Sequence, residues 1–268
     1  MVTRPGSYPC ALVTGASAGI GQAFAERLAR DGHDLVIVAR RQARLEELAA
    51  RLRDGYGGHV DVLVADLATS GGLRAVERRA SEDIAILVNN AGFGAYMPFV
   101  QLDADRAEAL ITLQVVAATR LTRAALPGMI ARKRGAIINV SSMLAFSASL
   151  PSPPLPGRAT YAAAKAFLNA FTETLHGELA GTGVQMQALC PATVRTEFHA
   201  IQGIDPDRSP VAPMSPEDVV QASLAALKLG EVICAPGVED PAVISAYQQA
   251  RTEVLQSGLM NRLASRYK

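Results

Sequence analysis

Two hydrophobic periods alternate along the chain. Short apolar runs of strand length are separated by stretches with apolar residues three and four apart. The apolar runs predict strands at Cys10–Thr14, Asp34–Ala39, His59–Ala65, Ile84–Val88, Gly135–Val140, Val184–Leu189 and Glu231–Ala235. The intervening patterns predict helices at Gln22–Arg30, Arg41–Arg53, Leu102–Ala125, Arg158–Leu179, Glu217–Leu229 and Pro241–Gln256. Strands that alternate with helices predict an α/β fold, a parallel sheet with helices on both faces. Leu150–Pro156 is dense in proline and must be a loop. Residues 197–216 show no period and read as a long loop. No repeat and no linker divides the chain, so 1–268 is expected to form one domain, with substrate loops near 143–160 and 197–216.

Composition narrows the classes. The chain has 268 residues, 49% hydrophobic and 19% charged, which is enough apolar material for a large core. Its net charge of +1 leaves no footprint for nucleic acid. No apolar run reads as a membrane span, and Met1–Pro9 lacks the charged-then-apolar pattern of a leader. Cys10, Cys190 and Cys234 sit in apolar runs and read as buried reduced thiols, so a cytoplasmic location is expected. The histidines show no ligand spacing, and no metal site is expected.

Candidate chemistry collects at the predicted strand ends. Gly15-Ala-Ser-Ala-Gly19-Ile-Gly21 stands between a strand and a helix, the setting in which glycines cradle a pyrophosphate at a helix N-terminus. Ala39-Arg40-Arg41 ends the second strand. An acid at that end holds a ribose 2′-hydroxyl in NAD sites, whereas a guanidinium suits a 2′-phosphate. NADP(H) is therefore expected over NAD(H), with Arg40 at the phosphate and Arg41 starting a solvated helix. Asp66 and Leu67 end the third strand; Asp66 can accept from an adenine amino group or cap the next turn. Asn89-Asn90-Ala91-Gly92 ends the fourth, with amides able to tie strands together and small residues that leave room for a ribose. Tyr161 and Lys165 are four apart and share a helix face. A nearby ammonium favours the phenolate and is expected to bring Tyr161 toward neutrality, where it can exchange a proton with a carbonyl or alcohol.

These motifs, in this order, resemble the short-chain dehydrogenase/reductase family over nearly the whole chain. The residues that carry the resemblance are Thr14-Gly15-Ala-Ser-Ala-Gly19-Ile-Gly21, Asn89-Asn-Ala-Gly92, Ile138-Asn-Val-Ser-Ser142, Tyr161-xxx-Lys165 and Pro191 to Thr196. The resemblance implies a single Rossmann-like domain of seven parallel strands, a nicotinamide cofactor and redox chemistry on a small-molecule carbonyl or alcohol. It makes Tyr161 the general acid/base, Lys165 the holder of the nicotinamide ribose, and Ser142 the donor to the substrate oxygen, with Ser141 facing the other way. It implies cofactor contacts from Gly15, Ser17, Gly19, Ile20, Gly21, Arg40, Asp66, Leu67, Asn90, Ala91, Gly92, Tyr161, Lys165, Pro191, Val194 and Thr196. It also implies a homo-dimer or homo-tetramer paired through helices 103–126 and 158–179; a stripe of Phe167, Phe171 and Leu175 fits that interface or the sheet. Met143, Leu144, Phe146, Phe93, Tyr96, Met97 and Phe198 are expected on the substrate side.

The chain departs from the family pattern in three places. Leu113-Gln114-Val115 stands where an asparagine usually orders the water of a proton relay. Ala192 stands where a glycine usually follows Pro191, and a positive φ there would be strained. The proline loop lengthens the interval between Ser142 and Tyr161 and should alter the substrate mouth.

Overall fold

The computed structural model describes residues 9–153, 155–200, 212–259 and 261–268, with the backbone alone at 199 and 200. The reading of the N-terminus and most of that of 197–216 therefore lie outside the described residues. The described residues up to Pro236 form one compact unit and those from Gly237 a second.

The first unit is built on strands β1 (Cys10–Thr14), β2 (Asp34–Ala39), β3 (Val60–Val64), β4 (Ile84–Asn89), β5 (Gly135–Val140), β6 (Val184–Leu189) and β7 (Ile233–Cys234). They pair in parallel in the order β3-β2-β1-β4-β5-β6-β7. This is the seven-stranded Rossmann-like sheet that the alternation and the resemblance predict. Strand order reverses between β1 and β4, and ligands of such sheets bind outside the carboxyl ends at that reversal. The helices are α1 (Gly19–Arg30), α2 (Gln42–Tyr56), α3 (Ser70–Ala80), α4 (Ala104–Ile111), α5 (Ala117–Ala131), α6 (Ala159–Glu178), α7 (Glu197–Ala200) and α8 (Pro216–Leu229). On one face, Phe24, Leu28, Leu45, Leu52 and Leu224 from α1, α2 and α8 pack on Val13, Ile37 and Val88. On the other, Leu73, Val76, Leu121 and Met129 from α3 and α5 pack on Leu12, Val36, Leu87 and Ile137. Each fully buried Leu, Ile or Phe side chain contributes about 2 kcal/mol, so the sheet is fixed from both sides.

Three findings differ from the sequence reading. Helix α3 was not anticipated. Its opening Ser-Gly-Gly hides the period, yet Leu73, Val76 and Ala80 are buried three and four apart, and Thr69 caps it by accepting from Gly72 N. The long helix does not stop at Ala125 before Pro127. It runs through that proline to Ala131, with a π-helical turn at Thr112–Val116 between α4 and α5. By length and composition alone this 28-residue helix, Ala104–Ala131, is long and apolar enough to cross a membrane; 44% of its most apolar window is buried. Ala192 has no positive φ; among the described non-glycine residues only Lys133 does, so alanine is unstrained there.

The stripe on α6 points two ways. Phe167 and Phe171 stack on each other at 5.6 Å, with Phe167 38% exposed, while Leu168, Asn169 and Thr172 are buried and Leu175 packs on the core. In the second unit, helix α9 (Ala242–Gly258) has no buried residue. The three cysteines are unpaired; Cys190 and Cys234 are buried and Cys10 is partly exposed.

Candidate active site

A cleft of about 900 Å³ opens at the carboxyl ends of the strands. Its floor is the turn from β1 into α1. Gly15 sits at φ +69°, a left-handed conformation that side chains resist. A Cβ at Gly21 would lie 2.4 Å from Gly15 O and 2.5 Å from Asn90 Nδ2, so the helix start, the turn and the end of β4 meet there. Thr14 fixes the junction. Its hydroxyl donates to Val88 O and accepts from the N–H groups of Asn90 and Ala91, while Asn90 Nδ2 donates to Thr14 O at 2.9 Å. Asn89 ties β4 to β5 by donating to Asn139 Oδ1 at 2.8 Å. Helix α1 starts at this turn with no side-chain cap, and Gly15 and Gly19 line the cleft, where a Cβ at Gly19 would lie 2.8 Å from Thr196 Cγ2. That arrangement fits the pyrophosphate of a dinucleotide.

One end of the cleft is buried. Tyr161 and Lys165 on α6 are both 5% exposed and stand one turn apart as their spacing predicts, facing Ser142 at the end of β5. Ser142 Oγ accepts from Leu144 N, and Ser141 faces away to donate to Lys165 O at 2.9 Å, as expected. Lys165 Nζ donates to Val140 O at 2.8 Å and lies 5.4 Å from the Tyr161 ring centroid. The electrostatics, however, reverse the sequence expectation. Burial raises the Tyr161 phenol to about 12, and the hydroxyls of Tyr96 and Ser142 only partly offset it. Burial also lowers Lys165 to about 7, so desolvation outweighs the mutual effect assumed from spacing alone. Tyr96 stands edge-on to Tyr161 with centroids 5.2 Å apart, and Phe198 lies 6.1 Å from it.

Behind Lys165 lies a cavity of about 10 Å³ that Gln114, Asn89 and Lys165 line together, of a size that holds about one water. Gln114 is 2% exposed and donates from Nε2 to Phe93 O at 2.7 Å. Its Oε1, like Asn89 Oδ1, meets no donor among the described residues. The π-helical turn carries this longer amide inward. Gly92 makes room for it rather than for a ribose alone, since a Cβ there would lie 3.2 Å from Gln114 Cδ.

The other end is charged and open. Arg40 is 75% exposed, with Asp66 at 3.9 Å. Asp66 Oδ1 accepts from Ala68 N, the capping role foreseen as its alternative. Arg41 does start α2, as its N-cap, but its side chain is not simply solvated. It turns back to donate from Nε and NH2 to Ser17 Oγ at 3.1 and 2.8 Å. Its NH1 pairs with Glu197 at 2.5 Å, and Arg44 NH1 pairs with the same carboxylate at 2.8 Å. Sequence reasoning missed Arg41, Arg44 and Glu197 as a group, because residues 153 apart give no local signal.

All sixteen of the predicted cofactor contacts reach the cleft except Gly21, which lies beneath it and shapes the turn. Of the expected substrate-side residues, Phe93, Tyr96, Met143, Leu144 and Phe198 line it, whereas Met97 and Phe146 do not. The proline loop joins the rim through Leu155 and Pro156. Buried Arg158 holds that loop by donating to Ser147 Oγ and to the carbonyls of Ser147, Leu150 and Pro156.

Comparison with known proteins agrees with this geometry. The short chain dehydrogenase family model matches residues 9–205. A short-chain dehydrogenase from Sphingobium yanoikuyae, solved in complex with NADPH, is 40% identical with a TM-score of 0.91, covering 97% of this chain and 100% of that one. The bulky-bulky ketone specific alcohol dehydrogenase from Comamonas testosteroni is 34% identical with a TM-score of 0.87, covering 98% and 99%. The human inactive hydroxysteroid dehydrogenase-like protein 1 is 36% identical over 194 residues, which are 71% of this chain and only 57% of that protein. The chain belongs to the short-chain dehydrogenase/reductase family of oxidoreductases.

Proposed function

We propose that the protein is an NADP(H)-dependent oxidoreductase acting on a bulky, largely apolar ketone or the corresponding secondary alcohol. The observation that carries this reading is the convergence of Ser142, Tyr161 and Lys165 on one buried wall, beside a glycine cradle. The cofactor supplies or accepts the hydride. The chain's residues handle the oxygen and its proton. Ser142 Oγ–H donates to the substrate oxygen, and Tyr161 Oη–H gives its proton to that oxygen on reduction and recovers one on oxidation. Burial keeps the phenol protonated at ordinary pH, the form that carbonyl reduction consumes. Lys165 lies between the cleft and the Gln114 cavity, where it can return a proton to Tyr161, and Gln114 takes the part of the family's relay asparagine. Phe93, Tyr96, Leu144, Leu155 and Phe198 give the substrate an apolar wall and exclude water. The ketone class draws further support from the Comamonas relative.

NADP(H) over NAD(H) rests on Ala39-Arg40-Arg41 at the end of β2, which supplies guanidiniums and no acid of its own, and on the NADPH complex of the Sphingobium relative. Exposed Phe167, stacked on the half-buried Phe171 of α6, supports pairing of two copies through that helix. A panel of bulky and small ketones with NADPH and NADH tests the proposal: steady NADPH oxidation with bulky ketones is expected. The relative named inactive favours a second reading, a protein that binds NADP(H) without turnover. Tight NADPH binding with no oxidation across the panel would establish that reading instead.

A further inference from the structure

The cation group at the open end of the cleft has more partners than a phosphate site needs. Every nitrogen of the Arg41 guanidinium is engaged: Nε and NH2 donate to Ser17 Oγ, and NH1 to Glu197. Glu197 spends its second oxygen on Arg44. The carboxylate is 31% exposed, and Arg41 and Arg44 are 42% and 52% exposed, so these pairs are of modest strength and exchangeable. Burial works against the charge on Glu197, but Arg44 and Arg41 more than offset it and keep the carboxyl below its ordinary value. Glu197 comes from the far side of the cleft, directly after Thr196, so its carboxylate reaches across to the β2 end.

We infer that Glu197 is an internal competitor for the 2′-phosphate of NADP(H), holding Arg41 and Arg44 until the phosphate takes them. This rests on the NADP(H) reading. A 2′-phosphate can take N–H groups of Arg41 that Ser17 and Glu197 leave unused, but it then shares the guanidinium with Glu197, the anion among these partners. Leaving the carboxylate in place would set two negative groups on the same guanidiniums. The phosphate-free cofactor has no such conflict. Glu197 therefore lowers the preference for NADP(H) below what the arginines alone would give.

Calorimetric titration of the full chain separates the effects, with NADP⁺ against NAD⁺ and adenosine 2′,5′-bisphosphate against 5′-AMP. Glu197→Gln should tighten the two 2′-phosphate ligands about two- to fivefold, the scale of one half-exposed ion pair, and leave NAD⁺ and 5′-AMP unchanged. Glu197→Ala should change in the same sense. Equal change for both ligand classes, weaker binding of the phosphate-bearing ones, or no change in either variant overturns the competitor and makes Glu197 a clasp or a bystander. Wild-type protein that binds both classes equally would remove the NADP(H) reading itself, and this inference with it. A wild type that prefers NADP⁺, with a Glu197→Gln that does not move, removes the inference alone.

Discussion

The two ends of the cleft treat charge in opposite ways. At the β5–α6 end, Tyr161, Lys165 and Ser142 are each less than a tenth exposed, and burial sets their protonation. At the β2 end, Arg40, Arg41 and Arg44 are 42–75% exposed, and their partners set their behaviour. The first end gains a fixed geometry, and burial favours the neutral form of both groups, raising the phenol and lowering the ammonium. The second end gains exchangeable contacts, each worth little. One cleft can thus combine strict chemistry with adjustable cofactor choice.

The largest effect belongs to the turn that joins the two ends. Gly21→Ala places a methyl within 2.5 Å of both Gly15 O and Asn90 Nδ2, and should cost about 3 kcal/mol of stability by overpacking. Denaturant unfolding reads that cost, and calorimetry should show nucleotide binding lost with it; an unchanged midpoint would mean the two ends are not coupled through this turn. The buried end comes next. Because its phenol is raised, the phenolate fraction is small at neutrality, and kcat/KM for alcohol oxidation should climb about tenfold per pH unit from about pH 7 to about pH 9. Ketone reduction, which uses the neutral phenol, should lack that climb. An oxidation profile that plateaus near neutrality would show Tyr161 acidified, as its spacing from Lys165 alone suggests.

At the open end the effects are smaller and unequal. Arg41→Ala should reduce the preference for NADPH over NADH about tenfold, the scale of a lost charge-assisted hydrogen bond. Arg40→Ala, at 75% exposure, should reduce it only about twofold. The reverse order would restore the sequence reading, in which Arg40 alone meets the phosphate.

That reading located much of the site. Four of the seven strands begin and end where their runs do; in β1 and β2 burial on both faces leaves nearly unbroken apolar runs, while β6 keeps its bounds although Gln185 and Gln187 alternate with apolar residues. Tyr161 and Lys165 were legible as a pair because an i,i+4 spacing is a local fact, whereas Ser142 came from the family resemblance. What escaped depends on the chain far away. Arg41 looks like any helix-starting arginine until Ser17 and Glu197 arrive beside it. The raised Tyr161 follows from burial, which no spacing encodes. Gln114 was seen as a departure, but only the π-helical turn shows how a longer amide fits inward beside Gly92. Helix α3 escaped because two glycines open it, while its buried stripe is short.

The most direct test compares Tyr161→Phe with the wild type for NADPH binding and for bulky-ketone turnover in the same preparation. The account predicts unchanged binding and turnover lower by about 10²–10⁴-fold, the scale of general-acid catalysis. Turnover at the wild-type rate in that variant would contradict it.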